Sequence, residues 1–202
     1  MMEQRTDDWF NARLGKATAS RLNDALAQTK TGEGAGRVAY RLELVTERLT
    51  GMKGETYSNK FMEWGTEQEP FAREAYEAKF GEFVIEEGFV NHPTIPMTGA
   101  SPDGLVGTEG LIEIKCPAST THVSYLADGK VPAKYKKQMI WQIVCTGRKW
   151  CDFVSFDPRL PENLKLFVVR FEPTTQEIAE VEAQVIDFLQ TVDELETKLR
   201  EM

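Results

Sequence analysis

Histidine is nearly absent from the sequence, and this scarcity limits the chemistry that the chain can perform. The 202 residues include two histidines, His92 and His122, and three cysteines, Cys116, Cys145 and Cys151. So few histidines exclude a His-rich zinc site and argue against a Ser-His-Asp or Cys-His centre. The cysteines are odd in number and lack metal-like spacing, so we expect free thiols in a reducing compartment. Any catalysis therefore falls to carboxylates.

Long hydrophobic runs are also missing. No apolar stretch approaches the roughly 20 residues that cross a bilayer. The first residues, MMEQRTDDWF, are polar and acidic and do not resemble a signal peptide. Hydrophobic residues make up 41% of the chain and charged residues 28%, as in ordinary globular proteins. We expect a cytoplasmic protein with no membrane contact.

Positive charge is scarce overall but unevenly distributed. The net charge is −8, and residues 172–202 carry nine acidic and two basic side chains, so the rest of the chain is nearly neutral. Between Gly129 and Cys151 there are six basic residues and no acidic one: Lys130, Lys134, Lys136, Lys137, Arg148 and Lys149. Such a segment can face a polyanion such as nucleic acid. A solvated helix face is the alternative.

Hydrophobic spacing predicts helices at both ends of the chain and strands in the middle. Thr6 is expected to cap one short helix and Thr18 a second, and Gly32 to Gly36 is expected to be a loop. Longer helices are predicted at 37–50, 60–80, 133–146 and 174–200. Strands are predicted at 83–85, 89–90, 104–106, 111–114, 150–156 and 165–171.

This order of elements predicts a mixed α/β (α+β) fold with a central mixed sheet of about five strands flanked by helices. We expect a single domain over residues 1–202. Its parts would be a mainly helical segment at 1–82, a sheet core at 83–171 and an acidic helix at 172–202.

Asp103, Glu113 and Lys115 form the most informative pattern in the chain. Asp103 lies in a Ser-Pro-Asp-Gly turn, and nine residues separate it from Glu113 in the apolar strand LIEIK. Because side chains alternate along a strand, Glu113 and Lys115 project from one face, while Ile112 and Ile114 pack on the other. A hairpin-like, glycine-containing return brings Asp103 alongside them.

Two carboxylates and an ammonium on one face suit phosphodiester hydrolysis. Asp103, Glu113 and the backbone carbonyl of Ile114 offer the hard oxygen ligands that Mg²⁺ prefers. A bound metal polarises the phosphate and lowers the pKa of its water, while Lys115 can orient that water and offset transition-state charge. The alternative for this pattern is a cross-strand salt bridge on a solvated sheet face.

Six short motifs occur in an order that resembles the lambda exonuclease family and the related YqaJ-type viral recombinases. They are R-L-G at 13–15 with T-A-S at 18–20, W-G-x-x-x-E at 64–69, S-P-D-G-L at 101–105, E-I-K-C-P at 113–117, Tyr135 with Gln138, and F-D-P-R at 156–159. The resemblance covers most of the chain, from Trp9 to about Phe171. It implies a restriction-endonuclease-like core of the PD-(D/E)xK nuclease superfamily.

The resemblance implies further active-site residues that spacing alone does not single out. Glu69 matches an acidic residue that reaches the metal site from the helix before the sheet. Gln138 matches a glutamine of the helix after the E-x-K strand. Gln142 lies one turn later on the same face, and the choice between the two glutamines stays open.

The resemblance also implies residues that bind the DNA end. Arg13, Ser20 and Ser101 match residues that hold a terminal 5′-phosphate, and an arginine with two hydroxyls is suitable chemistry for that group. Lys30 and Met62 fall where the family threads and splits the duplex.

The activity implied is a processive, Mg²⁺-dependent 5′→3′ exonuclease that acts on double-stranded DNA with 5′-phosphorylated ends and leaves 3′ single strands. Two Mg²⁺ ions per site are expected, with Mn²⁺ as a substitute. The implied partners are a single-strand DNA annealing protein and further copies of the chain in a ring-shaped trimer, encoded by a phage or prophage.

Two other functions remain open. One is a DNA endonuclease of the restriction or resolvase type, which would cut a covalently closed plasmid. The other is a catalytically silent DNA-binding subunit, against which the intact Asp103, Glu113 and Lys115 argue.

Overall fold

The computed structural model describes residues 3–54 and 60–202, without the side chain of Phe61. The α-helices are α1 (Asp7–Arg13), α2 (Leu22–Ala25), α3 (Ala35–Thr50), α4 (Lys60–Phe80), α5 (Ser119–Asp128), α6 (Ala133–Thr146) and α7 (Thr175–Arg200). The strands are β1 (Ala17–Thr18), β2 (Gln28–Thr29), β3 (Gly32–Glu33), β4 (Val84–Ile85), β5 (Val90–Asn91), β6 (Thr98–Ala100), β7 (Gly104–Val106), β8 (Gly110–Lys115), β9 (Trp150–Phe156) and β10 (Leu166–Phe171). Within the described ranges, no helix is long and apolar enough to cross a membrane.

The helix termini follow from local capping chemistry. Thr6 accepts a hydrogen bond from the Trp9 amide at 3.3 Å, as the sequence predicts for the start of α1. Thr174 and Glu177 form a reciprocal capping box at the start of α7. Glycines in the left-handed conformation follow four of the described helices, at Gly51, Gly81, Gly129 and Gly147.

The central sheet has five strands in the order β10-β9-β8-β7-β4, which confirms the predicted mixed sheet. Strands β8 and β9 are parallel, with Glu113 opposite Phe153, and the other pairs are antiparallel. The chain crosses from β8 to β9 through α5 and α6, as parallel strands require. The central position of β8 places a strand on each side of the Glu113 backbone.

The two faces of the sheet bury separate hydrophobic clusters. On one face, Leu111 and Phe153 pack with residues of α6 and α7, among them Met139 and Phe188. On the other face, a second cluster packs against α4; its sheet and helix members include Ile112, Ile114, Val154, Ala72 and Tyr76. The alternation predicted for β8 is therefore confirmed.

The prediction that Thr18 caps a helix is wrong. Thr18 ends β1, which pairs in parallel with β6, and its side chain makes no cap hydrogen bond. A short 3₁₀ turn and then α2 follow. The Thr18 amide donates to the Tyr40 hydroxyl at 3.0 Å, so tertiary pairing outweighs the local capping preference. The predicted strand at 89–90 also belongs to this small sheet, where Val90 pairs with Ala100.

The stretch from Gly32 to Gly36 is not the loop that its glycines predict. Gly32 belongs to the β2–β3 hairpin, and α3 begins at Ala35. Gly34 donates its amide to the Ala27 carbonyl at 2.9 Å. A Cβ atom at position 34 would lie 2.9 Å from the Ala27 Cβ, so the close approach of two backbone segments requires glycine here.

Candidate active site

Asp103, Glu113 and Lys115 meet where β8 emerges from the centre of the sheet. The Asp103 carboxylate accepts a hydrogen bond from the Ile114 amide at 2.6 Å, because β7 folds back along β8 directly after Asp103. The Lys115 ammonium contacts Glu113 Oε1. Glu113 is fully buried, which excludes a salt bridge on a solvated sheet face.

Two glutamines of α6 hold the Glu113 carboxylate from the side of the helix. Gln138 Nε2 donates to Oε1 at 2.7 Å, and Gln142 Nε2 donates to Oε2 at 2.6 Å. The two residues lie one turn apart on the same helix face, so both reach one carboxylate. The sequence left open which of the two glutamines serves the site, and in the structure both contact Glu113.

Burial and neighbouring charges perturb the ionisation of the cluster. Burial, followed by the charge of Glu113, raises the pKa of Asp103 well above its ordinary value. Burial lowers the pKa of Lys115, but the charges of Glu113 and Asp103 outweigh it and raise that pKa overall. Two carboxylates thus share a single ammonium at a buried position, which is an arrangement that favours an additional cation.

The donor set of this cluster fits Mg²⁺. Asp103, Glu113 and the Ile114 carbonyl are oxygen donors, and Mg²⁺ usually keeps several waters beside one or two protein carboxylates. Within the described residues, no group of three or more His, Cys, Asp or Glu side chains forms a ready-made metal cage. Such a site suits a cation that shares its coordination shell with water and substrate.

The cluster opens into a cleft of about 510 Å³. Of the eleven predicted site residues, nine line this cleft: Arg13, Ser20, Met62, Glu69, Ser101, Asp103, Ile114, Lys115 and Gln138. Glu113 lies behind its wall. Lys30 lies in the exposed turn between β2 and β3 and is not among the lining residues, so its role in guiding a duplex stays a prediction.

One wall of the cleft presents a cation on an aromatic support. Ser101 Oγ accepts hydrogen bonds from Arg13 Nη1 at 3.0 Å and from Trp9 Nε1 at 2.9 Å. The Arg13 guanidinium stacks over the Trp9 ring, with 4.1 Å between its central carbon and the ring centroid. Ser20 also lines the cleft, and its Oγ lies 3.4 Å from Thr18 Oγ1. This wall combines a guanidinium with two hydroxyls.

Arg13 is a partly buried cation. Burial lowers its pKa, so removing its charge from water carries a cost. In the part of the chain that the structure describes, Arg13 has no carboxylate within salt-bridge distance. Sequence reasoning missed Trp9, although its position four residues before Arg13 on α1 places the two side chains on one helix face.

Glu69 reaches the cleft from α4, as the sequence predicts. Its carboxylate pairs with Arg5 at 2.7 Å and with Arg73 at 3.5 Å. Its charge adds to the effect of Glu113 in raising the pKa of Asp103. Arg5 also lines the cleft and was missed, since nothing in the sequence relates it to Glu69.

The F-D-P-R motif links two of the elements that line the cleft. Asp157 receives hydrogen bonds from the Arg159 guanidinium at 2.7 and 3.0 Å. Arg159 also donates to the Pro117 carbonyl at 3.3 Å and lies 4.6 Å over the Trp64 ring. The motif therefore ties the end of β8 to the helix that carries Glu69, which is a structural reason for its presence.

The chain is similar to known proteins. A family model described as the YqaJ-like viral recombinase domain matches residues 8–149. The structure is similar to that of LHK-Exo, an alkaline exonuclease from Laribacter hongkongensis, with 48% identity, a TM-score of 0.90 and 97% of each chain covered. LHK-Exo in complex with dAMP gives the same identity and coverage, with a TM-score of 0.91.

A more distant likeness concerns the fold alone. A phage-related exonuclease from Haemophilus somnus 129PT has 15% identity and a TM-score of 0.70, with 94% of this chain and 99% of that chain covered. No curated protein sequence matches the chain significantly.

Proposed function

The chain belongs to the YqaJ-like viral recombinase family, a family of nucleases, and we propose that this DNA exonuclease depends on Mg²⁺ and degrades one strand of duplex DNA processively from its 5′ end. The product would be a 3′ single-stranded tail for recombination by strand annealing. One observation carries the proposal: Asp103 and Lys115, with the buried Glu113 behind them, line the same cleft as Arg13 and Ser101. Hydrolytic chemistry and recognition of a DNA end would thus be adjacent.

Each residue of the cluster has a role that its contacts support. Asp103, Glu113 and the Ile114 carbonyl would hold Mg²⁺, which when bound supplies a Lewis acid and a water of lowered pKa. Lys115 orients the attacking water and offsets negative charge on the phosphoryl oxygens. Gln138 keeps the Glu113 carboxylate in place. We propose two Mg²⁺ per site, with Glu69 as the acidic wall for the second, and Mn²⁺ as a substitute.

The proposed direction of digestion rests on the short separation of Ser101 and Asp103 along the chain. Ser101 lies two residues before Asp103, so a phosphate held by Ser101 and Arg13 would sit close to the metal ligands. The next phosphodiester would then lie over Asp103 and Glu113, which is an orientation effect. Each cut leaves a new 5′-phosphate that the same wall can bind, which supports processive movement. Met62, at the cleft edge, is proposed to help separate the strands.

Plasmid DNA in two forms tests the activity. With Mg²⁺, the enzyme should convert linearised plasmid to single strands and leave the covalently closed form intact, because an exonuclease needs an end. Chelation of the metal with EDTA should stop digestion of the linear form. Nicking or linearisation of the closed form would support the endonuclease alternative, and binding without any digestion would support the silent subunit.

We propose a ring-shaped trimer as the working form. Phe83, 84% exposed, precedes the edge strand β4, and Ile85 within it is 49% exposed. Apolar groups at an open sheet edge support an interface with another copy. Light scattering at micromolar concentration should give three times the chain mass of 22.9 kDa. A mass equal to one chain across that range would contradict the ring.

The acidic helix α7 and the partner protein complete the proposal. α7 carries most of the negative charge of residues 172–202, so it would lie away from the DNA path, on the outer surface or facing a partner. The proposed partner is a single-strand DNA annealing protein that receives the exposed 3′ strand. The place of action would be the cytoplasm of a bacterial host.

A further inference from the structure

Gln142 contacts the reactive cluster only through Glu113. Its amide nitrogen donates to Glu113 Oε2, while Gln138 and Lys115 both contact Oε1. Gln138 lines the cleft, whereas Gln142 is fully buried and is not among the lining residues that the structure describes. A substrate or a cation in the cleft therefore meets Gln138 but not Gln142.

The Gln142 side chain leaves one of its own polar atoms unsatisfied. Its Oε1 is buried and has no hydrogen-bond partner among the described residues. A buried acceptor without a donor costs free energy. Methionine has a similar size and would avoid that cost, but it would leave Glu113 Oε2 without a donor. The amide at position 142 thus serves the carboxylate rather than its own hydrogen bonding.

We propose that Gln142 is a positioning residue that fixes the orientation of the Glu113 carboxylate, so that Oε1 and not Oε2 faces the metal site. The inference rests on the proposed function, because it takes Glu113 to be a ligand of a divalent cation. Hydrogen bonds from outside the coordination shell commonly orient metal-binding carboxylates in this way. Gln142 is distinct from the residue of the family motif, which is Gln138.

Two hydrogen bonds to different oxygens are needed to fix a carboxylate plane. The terminal torsion of a glutamate has broad energy wells, so a single contact at Oε1 leaves the group free to rotate. Gln138 and Lys115 both contact that same oxygen, so neither of them holds Oε2. The bond from Gln142 to Oε2 removes the remaining rotation and keeps Oε1 beside Lys115. Glu113 then presents one oxygen to a cation before the cation arrives.

The test replaces Gln142 with methionine, which keeps the side-chain length and removes the N–H donor. Mn²⁺ is titrated into the DNA-free, full-length protein by calorimetry. Gln142→Met should weaken Mn²⁺ binding by about 10–100-fold, the usual effect of losing such an outer hydrogen bond. The Mg²⁺ concentration for half-maximal digestion should rise in parallel, and saturating Mg²⁺ should restore much of kcat. Gln142→Asn, which keeps a shorter amide, should lose less.

A matched control separates positioning from general stability. Tyr76→Phe removes a buried hydrogen bond of 2.8 Å to Asp152 on the opposite face of the same sheet. It should lower Tm without changing Mn²⁺ affinity. If Gln142→Met lowers Tm in the same way but binds Mn²⁺ like the wild type, Gln142 is structural only and the inference is overturned.

The proposed function and the inference fail in different ways. Wild-type protein that binds no Mn²⁺ at millimolar concentration contradicts the metal site itself and, with it, the role of Gln142. Normal binding by the wild type with unchanged binding by the variant contradicts the role of Gln142 alone. If Gln142→Met does not fold, the same comparison is made with Gln142→Leu, which also lacks the N–H donor and whose unchanged affinity would equally overturn the inference.

Discussion

Glu113→Gln and Asp103→Asn should each reduce the rate of DNA digestion by at least a factor on the order of 10²–10³, the effect typical of removing a main electrostatic contributor. Each substitution keeps the shape of the side chain and removes the negative charge that would hold the cation. The rate is measured on linear duplex DNA at saturating Mg²⁺. Duplex binding, measured by fluorescence anisotropy, should persist, because the basic groups of the cleft are unchanged.

Glu113→Gln should also remain folded, which makes the loss of activity interpretable. The new amide N–H at position 113 would face a glutamine donor, but rotation of the Gln142 amide by half a turn removes the clash. That rotation pairs the oxygen of Gln142, which has no partner among the described residues, with the new N–H. The melting temperature of Glu113→Gln should therefore stay close to that of the wild type.

Glu109→Gln is the matched control for these variants. Glu109 lies in the turn between β7 and β8, is exposed and pairs with Lys149. A neutral residue there should leave digestion unchanged, because exposed pairs contribute little. Near-normal turnover by Glu113→Gln, or an equal loss in Glu109→Gln, would contradict the assignment of the site.

The second large effect concerns the chemistry of the DNA end. The wild type should digest 5′-phosphorylated duplexes at least about tenfold faster than 5′-hydroxyl duplexes, a difference of roughly 1.4 kcal/mol. Arg13→Ala should lose most of that preference, since it removes the guanidinium that stacks on Trp9 and donates to Ser101. Initial rates on the two kinds of end are compared for both proteins.

Two further variants sharpen this comparison. Arg13→Lys keeps the positive charge but not the planar donor fork, so it should recover only part of the preference. Arg41→Ala removes an arginine that pairs with Glu33 outside the cleft and should behave like the wild type. Equal wild-type rates on the two ends would remove the phosphate site from the account, although not the nuclease.

The sequence predicts the centre of the site well because strand geometry is nearly deterministic there. An alternating apolar strand with Glu113 and Lys115 two residues apart leaves few possibilities for which side chains share a face. A short turn then limits where Asp103 can lie. The residues that the resemblance adds, such as Arg13 and Glu69, come from distant elements and depend on packing that no local pattern contains.

The errors and omissions lie where tertiary contacts outweigh local preference. Thr18 has the chemistry of a helix cap, yet pairing with β6 makes it the end of a strand. Helix α5 was not predicted, because its sequence STTHVSYLAD has a weak hydrophobic pattern. Its His122 is buried and makes hydrogen bonds with Ser155 and the Leu164 carbonyl, at 2.7 and 2.8 Å. Only the folded chain brings these partners together.

Gln142 shows a similar limit within the site. The family resemblance points to Gln138, but Gln142 lies one turn later on the same helix face, and helical spacing alone cannot say which of them meets a carboxylate. The depth of α6 against β8 decides the matter: Gln138 reaches the cleft, and Gln142 reaches the same carboxylate from the interior. Residue types and helical spacing predict a contact, but burial distinguishes a cleft residue from a positioning residue.

One digestion tests the central claim most directly. The substrate is a linear duplex with a phosphate on one 5′ end and a hydroxyl on the other, and each strand carries a different fluorophore at its 3′ end. With Mg²⁺, the 5′-phosphorylated strand should shorten first, at least about tenfold faster than the 5′-hydroxyl strand, and its label should remain on ever shorter fragments while most of the other strand is still at full length. With EDTA, both strands should stay intact. Early release of a label as a mononucleotide, or digestion in EDTA, would contradict a metal-dependent 5′→3′ exonuclease. Equal loss of both strands from their 5′ ends would contradict only the preference for a 5′-phosphate.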